Sequence, residues 1–202
     1  MVKIERYVVG ALNTNVYVAK HDGAFIVDAP HGTYEILKEI IEKREIEYIL
    51  ITHGHFDHIG DVNKIKLSTD AKVVMGKFDK EVFELSKDMA EIYGIELEKP
   101  DIDITINHDK KLKICGIDIN AIVTKGHSRD SISYYVPEWK VLFSGDLLFR
   151  GTIGRYDFLG GSKKSIEKSL KKIFQLPEDT LVFPGHGDAT TLKREIVQYA
   201  NF

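Results

Sequence analysis

The stretch THGHFDHIG, residues 52 to 60, places His53, His55, Asp57 and His58 within six consecutive positions. A hydrophobic core has no use for imidazoles and carboxylates at that density, whereas a metal ion does. Three more residues of the same kind stand alone downstream: His127, Asp146 and His186. Each directly follows a glycine and closes an apolar run, INAIVTKG, VLFSG and LVFPG, just as YILIT runs onto His53. All seven offer nitrogen or oxygen donors. That chemistry suits Zn, Fe, Mn or Co and argues against a thiolate-bound copper or iron–sulfur site. The one cysteine, Cys115, sits apart in the turn KICGID and reads as packed and inert. Seven donors exceed the needs of one tetrahedral ion. They suit two ions sharing a carboxylate, which in such sites lie roughly 3.5–4 Å apart. His53 and His55, two positions apart in an extended loop, can point the same way. Asp57 and His58 begin the next turn and can face a second ion.

Residues so distant in the chain converge only if four strand ends share one edge of the fold. Binding sites sit at such edges because the sheet fixes the side chains while loops keep access. Glycine there permits positive φ and close backbone approach. KIERYVV, NVYVAK and AFIVDA read as strands, the last two joined by the hairpin signal HDG. Ile36, Leu37, Ile40 and Ile41 share a face, which predicts a helix over TYEILKEIIEK. IEYILIT is a buried strand, IGDVNKIKL a helix and AKVVMG a strand. Residues 77 to 93 form an amphipathic pattern with Phe78, Val82, Phe83 and Leu85 inward. PDIDITIN, KLKI, IDINAIVT, SISYYV, KVLFSGD and TLVFPGH read as further strands. SKKSIEKSLKKIF, capped by Ser162, and TLKREIVQYA read as helices. The strands fall in two clusters, each closed by helices. The expected class is α/β (α+β), with two sheets face to face and helices outside, in one domain spanning residues 1–202.

The composition of the 202 residues, 43% hydrophobic and 29% charged, is that of an ordinary globular chain. A formal net charge of −3 makes it a poor polyanion binder, so nucleic acid is not expected as a partner. The lysines crowded at 163, 164, 168, 171 and 172 read as a solvated helix face. No apolar run approaches the ~18 residues of a membrane span, and the N-terminus does not read as a signal peptide. One cysteine allows no disulfide framework within the chain. The expected setting is cytoplasmic and reducing, without membrane association; the oligomeric state is left open.

THGHFDH carries the H-x-H-x-D-H signature of the metallo-β-lactamase superfamily. TKGHS, SGDLLF and PGHG resemble its later motifs in the right order, and the resemblance covers the whole chain from AFIVDA onward. It implies the four-layer αββα sandwich of the metallo-β-lactamase fold. It assigns His53, His55 and His127 to one metal and Asp57, His58 and His186 to a second, with Asp146 bridging and Asp28 supporting the site. The implied cofactor is a pair of divalent ions, zinc first, with iron or manganese as alternatives.

Within the superfamily, GDLLFRGTIGRYDFLGGS is similar to a segment of glyoxalase II-like hydrolases and of persulfide dioxygenases. An aspartate at position 146 differs from the β-lactamases that carry cysteine there. Two features depart from glyoxalase II: the chain ends soon after His186, without the added helical region, and the GHTPGH-type stretch reads GHSRDS. The leading expectation is hydrolysis of a thioester, such as a hydroxyacyl-glutathione, by metal-bound hydroxide, with Asp57 and Asp146 as the catalytic carboxylates. The partner is then a small thiol-derived substrate. Arg155 and Tyr156 are expected to contact it. The alternatives are a mononuclear-iron persulfide dioxygenase, or a lactonase or nuclease on the same core. His31 is a weaker candidate for the cleft.

Overall fold

The computed structural model describes residues 3–77 and 79–199. Sheet one holds six strands in chain order: β1 (Lys3–Val9), β2 (Thr14–Lys20), β3 (Ala24–Val27), β4 (Ile46–Leu50), β5 (Lys72–Gly76) and β6 (Ile104–Ile106). The first three are antiparallel, and β3 to β6 run parallel. Parallel neighbours need crossovers. These carry α1 (Thr33–Ile36), α2 (Lys38–Glu42), α3 (Phe56–Ile59), α4 (Val62–Thr69) and α5 (Lys80–Ile92). Sheet two begins with the meander β7 (Lys110–Ile114), β8 (Ile117–Val123), β9 (Ile132–Val136) and β10 (Val141–Gly145). A hairpin of β11 (Leu148–Phe149) and β12 (Thr152–Ile153) follows, then α6 (Lys163–Ile173). β13 (Leu181–Pro184) pairs parallel with β10, β14 (Thr190–Thr191) closes the edge, and α7 (Leu192–Tyr199) comes last.

Strand alternation sorts the apolar residues into three cores and so produces the four layers. In β2, Val16 and Val18 face the core under α1 to α5, while Tyr17 and Ala19 face the other sheet. Val73 and Met75 in β5 oppose Val74 in the same way. From sheet two, Tyr134, Val141 and Phe143 enter the middle core, and Tyr135 and Leu142 pack beneath α6 and α7 with Ile166, Leu170 and Ile173. Strands buried on both faces read as continuous apolar runs, which is how YILIT and VLFSG appear. The fold is the αββα sandwich.

Ser162 caps α6 as expected, its Oγ accepting the Ser165 amide at 3.3 Å. The helix expected over residues 33–43 divides instead. The chain turns at Leu37 (φ −98°, ψ 14°), which buries Leu37 and Ile41 and leaves Ile36 49% exposed. Ile59 belongs to the separate short helix α3. Only Ile104–Ile106 of PDIDITIN pairs as a strand. Val82 and Phe83 of α5 are buried, Leu85 is half-buried, and Phe78 lies outside the described residues. Among the described residues no helix is long and apolar enough to cross a membrane.

Candidate metal centre

β4 delivers His53, and β8, β10 and β13 deliver His127, Asp146 and His186, so one strand end of sheet one meets three of sheet two. α3 starts at Phe56 and brings Asp57 and His58 round on its first turn. Two of the glycines beside these residues are demanded by space. A Cβ on Gly185 would lie 2.2 Å from Asp146 Oδ1 and 2.8 Å from the His58 ring. Gly145 sits at φ +53°, and a Cβ there would lie 2.7 Å from Thr52.

The seven residues form two triads around a shared carboxylate. In the first, the Nε2 atoms of His53 and His127 each lie 3.0 Å from Nδ1 of His55. Ligands 2.0–2.1 Å from a tetrahedral ion are about 3.3 Å apart, close to this spacing. In the second, His186 Nε2 and His58 Nε2 stand 3.2 and 3.5 Å from Asp57 Oδ2. Asp146 lies between: Oδ2 is 3.5 Å from both His127 and His186, and Oδ1 is 3.6 Å from His58. Buried His58 Nε2 and Asp146 Oδ1 lack hydrogen-bond partners and face each other at a distance too long for a bond. Buried polar atoms are nearly always satisfied, so this orphaned pair, in an all-nitrogen-and-oxygen set, fits a cation between its members.

Four of the five histidines have their outward ring nitrogen occupied. Thr52 Oγ1 meets His53 Nδ1 at 3.1 Å, the Asp28 carboxylate meets His58 Nδ1 at 2.8 Å, and the Arg155 and Leu12 carbonyls accept from Nδ1 of His127 and His186. Such partners fix the tautomer and turn Nε2 inward, as metal-binding histidines require. Burial holds His53 and His127 below the ordinary imidazole value and takes His55 down to about 3. Burial also opposes charge on His58, but Asp57, Asp28 and Asp146 outweigh it and raise that ring well above the ordinary value. His186 goes up to about 10 against its burial, because the carboxylates of Asp146 and Asp57 lie 3.5 and 3.2 Å from its Nε2. Those histidines in turn overcome the burial of Asp57 and Asp146 and keep both carboxyls below the usual range.

This charge state makes metal loading pH-dependent. Without metal, His58 and His186 hold protons at neutral pH, and a ligand imidazole must be neutral. Loading at pH 7 is therefore expected to release protons and to tighten as pH rises. Titration calorimetry in buffers of different ionisation enthalpy measures this, and proton-neutral binding would contradict it. His186 is raised in the folded chain, so its stabilising contribution without metal is complete below its ordinary 6.5 and is lost as pH climbs through about 10. Thermal melts of chelator-treated protein should decline across that window.

The family model of the metallo-beta-lactamase superfamily matches residues 9–186. The chain belongs to this superfamily. Its members are generally hydrolases that bind divalent metals. A similar relative is the probable metallo-hydrolase YqgX of Bacillus subtilis, 33% identical over 96% of this chain and 94% of that protein. The hydroxyacylglutathione hydrolase GloC of Haemophilus influenzae is 32% identical over 85% of this chain and 84% of its own. Among solved structures, the BLEG-1 B3 metallo-beta-lactamase superimposes with a TM-score of 0.84 at 33% identity, covering 96% and 97% of the two chains. TTHA1623 in a di-iron-bound form gives 0.82 at 32% identity, covering 95% and 96%.

In this superfamily member a cleft of 350 Å³ opens over His55, Asp57, His127, Asp146 and His186. Arg155 lines it, with its guanidinium tied to Asp157 at 2.9 and 3.4 Å. Tyr156 instead lies half-buried against the core beneath α6 and α7 and is not among the described residues lining the cleft. Packing of its ring against that apolar cluster takes it away from the cleft. His31 also lies outside the cleft, exposed beside Asp61 at 3.5 Å. Two supporting residues escaped the sequence reading. Thr14 donates to Asp57 Oδ2 at 3.1 Å. Asp130, buried, accepts from Ser128 and lies against Gly54, where an added Cβ would come within 2.7 Å of it. Burial pushes its carboxyl up to about 6. It thus joins the loop of His53 and His55 to that of His127; an acidic residue in the short turn GHSRDS was the available signal.

Proposed function

We propose that this chain hydrolyses small thioesters at a binuclear metal site. His53, His55 and His127 hold one divalent ion and Asp57, His58 and His186 the other, with Asp146 shared and zinc the first choice of metal. The observation that carries this reading is the position of Asp146, within 3.6 Å of histidines from both triads. When bound, such ions lower the pKa of water towards ~7 and polarise a carbonyl. The chain's own residues do the rest. His55, Asp146 and His186 are the partly exposed members of the set, so substrate approaches over them. Asp57, ionised and anchored by Thr14, accepts a hydrogen bond from the attacking water and orients it. Asp146 keeps the two triads in register. The similarity to a hydroxyacylglutathione hydrolase supports the thioester class, and the similarity to a di-iron protein supports two ions.

Metal analysis of protein purified without added metal, paired with assays on S-lactoylglutathione and on glutathione persulfide with an oxygen electrode, tests the proposal. Two ions per chain and thioester cleavage without oxygen uptake are expected. One iron with oxygen uptake would replace the reading by a persulfide dioxygenase. Arg155→Ala is expected to lower kcat/KM by less than about 5-fold, because an exposed guanidinium already paired with a neighbouring carboxylate contributes little. A loss of a hundredfold in the same assay would place it in direct contact with substrate charge.

A further inference from the structure

The walls of the cleft are apolar at both ends of the metal centre. Phe158 packs on the first triad, its ring 5.4 Å from that of His55 and 5.2 Å from that of His127. Leu12, 38% exposed, sits beside the second triad, where its carbonyl meets His186 at 3.2 Å. Leu85 and the 39%-exposed Met89 of α5 complete the rim, and Ser86 ties that helix to the ligand loop through the Gly54 carbonyl at 2.9 Å. Whichever way a substrate lies across the two triads, both of its ends meet hydrocarbon. Among the described residues lining the cleft, Arg155 is the single permanent cation; Asp157 neutralises it, and it lies 5.2 Å over the Phe158 ring. A thiol carrying several carboxylates finds no unpaired lysine or arginine here. At 350 Å³ the cleft is also at the small end of ligand pockets, which run roughly 300–1,000 Å³.

We propose that the cleft selects thioesters whose acyl group is apolar and whose thiol is uncharged, in preference to carboxylate-bearing thiols of the glutathione type. This rests on the thioesterase reading above and names its substrate class.

The test compares S-acetyl, S-butyryl and S-hexanoyl N-acetylcysteamine with the same acyl groups on glutathione, using metal-loaded enzyme. Burial of each added methylene is expected to raise kcat/KM about 4-fold, with the neutral-thiol series faster at every length. A flat length series, or faster glutathione series, would overturn the proposal. Met89→Ser should reduce the gain per methylene, with circular dichroism confirming the fold. If no thioester turns over, the thioesterase reading fails, but the wall is still measured. Acetohydroxamate, butyrohydroxamate and hexanohydroxamate titrated into the metal-loaded protein should bind about 4-fold tighter per methylene. Equal affinities across that series would sink the apolar wall itself.

Discussion

Asp146→Ala is expected to lower the proposed thioester turnover by at least about 10³-fold, because metal-centred catalysis is worth several kcal/mol and each 1.36 kcal/mol is tenfold in rate. The reason is geometric. No other carboxylate in the set approaches histidines of both triads: Asp57 reaches His58 and His186, whereas Asp146 reaches those two and His127. Without it the two triads become independent sites, and metal content should fall from the proposed two ions per chain towards one. Asp146→Asn separates charge from volume. The amide fills the same space but lacks the charge that helps hold His186 up to about 10. A loss for asparagine close to that for alanine would assign the effect to charge. Turnover within tenfold of wild type in both variants, with two ions retained, would remove Asp146 from its shared position.

Much of this site was legible because its chemistry is local in the chain. THGHFDH announces itself by density. His127, Asp146 and His186 announce themselves by a glycine before them and an apolar strand behind. Before His186 the reason is space: beside Asp146 and His58 the Gly185 position admits no side chain. What was hidden depends on partners far along the chain. Thr14 is an ordinary hairpin threonine until folding sets it against Asp57, 43 positions away. Asp130 lies three residues beyond His127, yet its neighbour Gly54 comes from the other sheet's loop. The two-residue strands β11, β12 and β14 are too short to carry a period. The turn at Leu37 interrupts a good helical pattern because burying Leu37 and Ile41 against sheet one takes precedence over continuing the helix.

Asp28→Ala is expected to cost the most stability. Asp28 is 1% exposed at the end of β3, and its carboxylate accepts from the Thr52 amide at 2.8 Å, the Thr52 hydroxyl at 2.9 Å and His58 Nδ1 at 2.8 Å. It also sits at φ 61°, which aspartate tolerates and alanine does not favour. Alanine leaves those donors buried and unpaired beside a strained backbone, a loss of about 3–5 kcal/mol. For a chain of this size that lowers Tm by roughly 6–20 °C. Asp28→Asn divides the two roles. Asparagine accepts the left-handed conformation and still offers an oxygen to the Thr52 amide, so much of the stability should return. It gives His58 no anion, so Nε2 becomes a poorer donor, and metal affinity should remain about 10–100-fold weaker, the usual effect of removing such a partner. Melts and chelator competition on both variants read the two losses separately. Asparagine restoring metal affinity along with Tm would mean that Asp28 acts on the loop of Thr52 alone and leaves the basicity of His58 untouched.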